Sequence, residues 1–144
     1  MEQRSKTYVL KGMPQSLVVR RSDDSVGWGA HKHIKAITAI DLQLQHETQP
    51  LFTGPLLLEA IFYFNVPCKS RSRNKSQEGD IYSSRPSLFR LMQFLESVSL
   101  GIIYDNEALI AHMYGKKIYD HNPRTEFTFT EIYDKKEAGK KRQS

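Results

Sequence analysis

The sequence predicts an α+β fold: one compact domain in which a mixed β-sheet carries two main helices. Three observations lead there. The elements follow one another as strand, helix, strand, helix, strand, strand, with no internal repeat. The 144 residues suit one modest core rather than two. No apolar run reaches the roughly 18–20 residues of a membrane span, and the nearest, Leu56–Phe64, is interrupted by Glu59.

Thr7–Gly12 reads as a short first strand, broken by Gly12 and Pro14. Residues 13–30 are polar and rich in charge and glycine. A helix is expected near residues 31–47, where Ile34, Ile37, Asp41 and Leu44 share one face with Ile40 beside it. Asp41 is the imperfection in that stripe, and Gln49-Pro50 ends it. Residues 55–65 follow Gly54, and both alternating sets of side chains are largely apolar. That pattern predicts a central strand covered on both faces.

Ser84-Arg85-Pro86 begins a second helix, with Pro86 in its first turn and Ser84 near the cap. Leu88, Leu91, Met92, Leu95 and Val98 mark its apolar face to about residue 99, and Gly101 stops it. A strand near residues 108–119, kinked at Gly115, and a strand near 125–133 complete the sheet. In the last, Thr and aromatic residues alternate with Glu, as on a sheet exposed on one face. The domain is therefore set at residues 1–133. Residues 134–144 carry Lys135, Lys136, Lys140, Lys141 and Arg142 with few apolar groups, and read as a disordered basic tail.

Met1–Lys6 is charged and polar, so no secretory leader is expected. A single cysteine, Cys68, excludes an intramolecular disulfide and a cysteine-based zinc site, and it points to a reducing, cytoplasmic setting. His31 and His33 have no second cluster to complete a structural zinc site. Lys and Arg number 21 against 16 Asp and Glu, a net charge of +5 that permits a nucleic-acid partner without demanding one. More pointed is the run in which Lys69, Arg71, Arg73 and Lys75 alternate with Ser and Asn, with no acid until Glu78. If extended, it throws four cations to one side. It is either a solvated loop or an arm that contacts phosphates.

The stretch Arg85–Phe94, then Gly101–Glu107, then Tyr114–Lys117 and Asn122–Thr125, resembles the RusA-type Holliday junction resolvases. Tyr8–Gly12, Trp28 with Lys32–Lys35, and Leu51–Leu56 are similar to the amino-terminal half of that family. The resemblance covers most of the domain, and its carboxy-terminal half is the more specific part. It implies a small Mg²⁺-dependent endodeoxyribonuclease that acts on branched DNA as a homodimer. A C₂ dimer would match the two-fold symmetry of a four-way junction. It also implies DNA contacts from Lys116 and Lys117, and Arg90 suits the same role.

The signature of the family is Lys/Arg-Pro-Asp-x-Asp-Asn, a Lys a few residues on, and then a paired acidic turn. This chain departs from it. Ser87 and Phe89 stand at the two Asp positions, Arg90 at the Asn position and Gln93 at the Lys position. A later helical Asp falls on or beside Ser97, with Glu96 adjacent. The acidic turn survives as Asp105-Asn106-Glu107, where the resemblance makes Glu107 the counterpart of a third metal-binding carboxylate. A shift of one residue would move that role to Asn106. Asp105 and Glu107 are thus the residual catalytic and metal-binding candidates.

The chemistry makes these departures serious. Mg²⁺ wants hard oxygen ligands and supplies both activated water and charge neutralisation in phosphodiester hydrolysis. Phe89 offers no oxygen, Ser87 offers a neutral hydroxyl, and Arg90 brings a cation to the same turn. Three readings follow: a junction-binding relative with lost or attenuated cleavage, an active resolvase that rebuilds its site from Asp105, Glu107 and Glu96, or a basic domain repurposed to bind a protein.

Overall fold

In a computed structural model, which describes residues 4–17, 25–67 and 76–132, the expected element order is found. Strand β1 is Ser5–Lys11, helix α1 Ser25–His46, strand β2 Leu56–Asn65, helix α2 Leu88–Ser99, strand β3 Ile110–Asp120 and strand β4 Arg124–Glu131. The arm of Lys69, Arg71, Arg73 and Lys75, and the tail at 134–144, lie outside the described residues.

The strands form one mixed sheet in the order β1-β4-β2-β3. β4 runs antiparallel to both β1 and β2, whereas β2 and β3 are parallel. β1 and β2 therefore point the same way across β4. Each of α1 and α2 joins two parallel strands, and both connections step in the same direction across the sheet. Right-handed crossovers then put both helices on one face. α1 and α2 touch each other there.

That face holds the core. β2 contributes Leu56, Leu58, Ala60, Phe62 and Phe64, all buried. β1 adds Tyr8, and β4 adds Phe127 and Phe129. α2 meets them with Leu91, Met92, Phe94, Leu95 and Val98. Fully burying such a side chain contributes about 1.5–3 kcal/mol. β2 is central, as expected, but no described element covers its other face. There Leu57 and Ile61 stay half-buried, and Tyr63 is shielded by Arg124, whose guanidinium lies 3.7 Å from its ring centroid.

Helix α1 differs from expectation in two ways. It begins at Ser25, before the first apolar periodicity, through Gly27 and Gly29. It is also rotated. Among its described side chains, His31, Leu42 and His46 are buried, while Ile37, Ile40 and Leu44 are exposed. A polar pairing accounts for the rotation. Tyr8 Oη and His46 Nδ1 share a 2.6 Å hydrogen bond inside the core. Beside it the Gln45 amide completes the outer edge of β1, accepting from Val9 N at 2.9 Å and donating to Val9 O at 2.7 Å. A sheet edge satisfied in this way cannot recruit a foreign strand at that point.

The pairing of β3 runs on through Gly115, where a kink is expected from the sequence, without a register shift. A side chain there would place Cβ 3.0 Å from both Leu88 Cδ1 and Met92 Sδ, so the glycine admits α2 close against the sheet. The irregularity lies earlier, between Leu56 and Leu57, where the register jumps from Ile110 to His112.

Two expectations follow. Gly115→Val overpacks the α2 contact and lowers stability by about 1–3 kcal/mol in a denaturant titration; an unchanged midpoint would contradict the close approach. Burial, reinforced by Lys6 and Arg4 and opposed by the Pro50 and Gln49 carbonyls, holds the His46 pKa below its usual value, while burial pushes Tyr8 up to about 12. His31 is lowered as well, by burial and Lys35. Folded stability is thus fully present above pH ~6.5 and falls as pH drops below it, because the unfolded histidines take up protons that the folded ones refuse. Unfolding at pH 7.5 and 5.5 measures the loss, and His46→Gln shrinks it.

Candidate functional site at the outward face of α2

The approach to α2 is fixed from β3. Residues 79–82 run along the outer edge of that strand, with Tyr82 N donating to Lys117 O at 3.0 Å and Tyr119 N to Asp80 O at 2.9 Å. Tyr82 stacks on Phe64 at a centroid distance of 4.0 Å and donates from Oη to Arg85 O at 2.8 Å. Lys117 Nζ donates to Ser84 O at 2.7 Å and to Pro86 O at 2.8 Å. Burial lowers its pKa. The Arg85-Pro86-Ser87 segment is thereby delivered to one place.

The cap falls later than the sequence suggests. Ser87, not Ser84, is the N-cap residue, and its Oγ accepts from Arg90 N at 3.3 Å. A hydroxyl or carboxylate oxygen there satisfies one of the free amides of the first turn. Helical spacing then lines Phe89, Gln93, Glu96 and Leu100 along the side of α2 opposite the core. Phe89 is 66% exposed, so it does not pack in the core.

Glu107 reaches this face from the far side. It begins a short 3₁₀ turn, Glu107–Leu109, capped by Asn106, whose side-chain oxygen accepts from Ala108 N at 3.0 Å. Leu17, Gln93, Glu96, Ser97, Leu100 and Glu107 line one cleft of about 270 Å³. Leu17 is held there by its amide, which donates to Arg90 O at 3.0 Å. Burial, and then the Glu107 charge, raise the Glu96 pKa. Lys35 crosses from α1 and donates from Nζ to Ser97 Oγ at 2.6 Å.

The structure thus brings together Gln93, Glu96, Ser97 and Glu107. It does not bring in Asp105, which sits on the exposed turn outside the cleft. Asn106 is occupied as a cap. Arg90 is half-buried, with Nη1 3.5 Å from Gln93 Oε1. Lys116 and Lys117 are adjacent in a strand and so point to opposite faces. Lys116 opens onto the uncovered face, and Lys117 is bound to two carbonyls. They cannot act as a pair on one phosphate. Lys35 is the participant that sequence reasoning missed; only its place on α1 could have signalled it.

The resemblance implies Mg²⁺, which wants several hard, charged oxygen ligands. Two carboxylates, an amide and a hydroxyl supply less charge than that family's set of carboxylates, and Lys35 adds a cation beside Ser97. These residues do not fit a site of that kind. No family model matches the sequence, and no curated protein matches it.

Because Glu107 contributes to the raised Glu96 pKa, Glu107→Gln lowers it partway, with burial holding up the remainder. A carbon-detected NMR titration of the Glu96 carboxyl reads this directly; an unmoved value would mean the two acids do not share the cleft.

Proposed function

We propose that this chain binds branched DNA, of the four-way junction type, as a homodimer, and that its capacity to cut is lost or strongly attenuated. One observation carries the reading. Gln93, Ser97 and Glu107, positions that the RusA-type resemblance implies for one site, line a single cleft from α2 and from the Glu107 turn, with Glu96 beside them. The start of the same helix lacks the carboxylates that the signature requires at 87 and 89.

The local chemistry supports binding over hydrolysis. Phe89, exposed at the start of the α2 face, offers a ring to a base or sugar. Arg90 and Lys116 offer charge to phosphates, as does the run of Lys69, Arg71, Arg73 and Lys75. Phosphate contacts hold register on DNA without reading sequence. What is missing is the charge and orientation that a scissile phosphate needs in its transition state.

Expected outcomes are specific. If roughly four to six phosphates are neutralised, log K falls with log salt at a slope of about −4 to −5. Arg71→Ala with Arg73→Ala weakens binding on all sequences alike and flattens that slope by about 2. Four-way junctions incubated at millimolar Mg²⁺ or Mn²⁺ stay whole. Ser87→Asp with Phe89→Asp restores metal binding and is tolerated by the fold, because Asp caps a helix as well as Ser and position 89 is exposed. Adding Arg90→Asn and Gln93→Lys restores some cleavage. Symmetric cutting by the unaltered chain, abolished by Glu107→Gln, would instead support a rebuilt acidic site. Absence of junction binding even at low salt would remove the DNA reading and leave a protein partner.

A further inference from the structure

Helix α1 has two apolar faces, and only one is used within the domain. The inner face presents His31, Leu42 and His46 to the core. Opposite it, His33, Ile37, Ile40 and Leu44 follow one another at alternating steps of four and three, and Glu47 continues the series just past the helix end. That is the spacing of a coiled-coil seam. The three apolar members are 54%, 58% and 72% exposed. Ile and Leu in succession on solvent-facing helix turns are unusual on a monomer's surface.

We propose that this seam is where two copies of the chain meet, α1 packing antiparallel on α1 about a two-fold axis near Ile37–Ile40. The occupant and its direction follow from charge. Lys32 lies exposed at the amino-terminal end of the stripe and Glu47 exposed at its carboxy-terminal end, while Asp41 between them is half-buried and accepts from Gln45 Nε2 at 3.1 Å. An antiparallel pair sets each basic end against the acidic end of the other copy, and it also opposes the two helix dipoles favourably. A parallel pair would stack Glu47 on Glu47. The basic residues at 134–144 have few apolar groups to offer this stripe.

The surface extends beyond the helix. A groove of about 200 Å³, lined by Leu10, Met13, Ile34, Ile37 and Phe94 among others, opens beside Ile37, and Met13 at its rim is exposed. In the antiparallel arrangement the second copy's Leu44 arrives next to this groove. A stable interface covers about 800 Å² per partner, more than one helix face supplies, so the groove belongs to the contact. The proposal rests on the dimer in the reading above, and its test separates the two.

Sedimentation at micromolar concentration gives a species near twice the 16.7 kDa chain mass. Ile40→Glu or Leu44→Glu leaves helical content unchanged, raises the dimer dissociation constant at least 100-fold, and removes the dependence of melting temperature on protein concentration. A monomeric unaltered chain would overturn both the seam and the dimer. An unaltered dimer indifferent to both substitutions would overturn the seam alone. Direction is read by cross-linking after Cys68→Ser. Glu47→Cys copies mixed with His33→Cys copies form a disulfide in the antiparallel pair. Glu47→Cys copies that link to one another instead would overturn that geometry. A seam dimer that ignores junctions at low salt would remove the DNA reading and leave the seam standing.

Discussion

Helix α2 rests on β3 at a point where the strand has no side chain. Gly115 lets Leu88 and Met92 lie against the backbone, and any larger residue would meet them at 3.0 Å or less. That contact sets both the height and the rotation of α2. With Leu91, Met92, Leu95 and Val98 committed inward, Phe89, Gln93, Glu96 and Leu100 have no choice but to face out. The cleft is what remains between that outward row and the Glu107 turn. Its chemistry is thus decided by packing on the opposite side of the helix.

The start of α2 is secured by a polar device of equal consequence. Lys117 spends its charge on the Ser84 and Pro86 carbonyls, and Tyr82 clamps the same segment onto Phe64. A lysine used in this way holds the signature segment at the sheet. It is no longer a free cation for phosphate. Arg90, on α2, stays beside the proposed binding face, whereas Lys116 opens onto the uncovered side of the sheet. The same economy applies to Ser87, whose hydroxyl closes the helix end rather than waiting for a ligand.

Much of the fold was legible because its periodicities are local. The two apolar sets of residues 56–64 identified the central strand, and the Leu88-to-Val98 stripe identified the buried side of α2. The face of α1 was not legible. Hydropathy favours the isoleucine stripe, yet the buried side is chosen by the fit of His46 to Tyr8 and of Gln45 to the β1 edge. Those are pairwise matches between residues about 36–38 apart in sequence, which no window along the chain encodes. The uncovered face of β2 escaped notice for a similar reason: apolar residues on both sides of a strand do not reveal that both crossovers lie on one side. At the candidate site, the expected positions Gln93, Ser97 and Glu107 line one cleft and Asp105 lies outside it, while the Lys35 contact depends on how α1 and α2 meet. The separation of Lys116 from Lys117 was available from strand alternation alone.

The claim on which everything else turns is that the outward face of α2, with the Glu107 turn, is where branched DNA is held. An NMR titration of the labelled chain with a four-way junction, compared with linear duplex of the same sequence at equal salt, tests it most directly. The account predicts junction-specific shifts concentrated on Phe89, Arg90, Gln93, Ser97 and Glu107, with the junction left uncut. Shifts of equal size with linear duplex, or shifts confined to the uncovered sheet face around Tyr114 and Ile61, would contradict it.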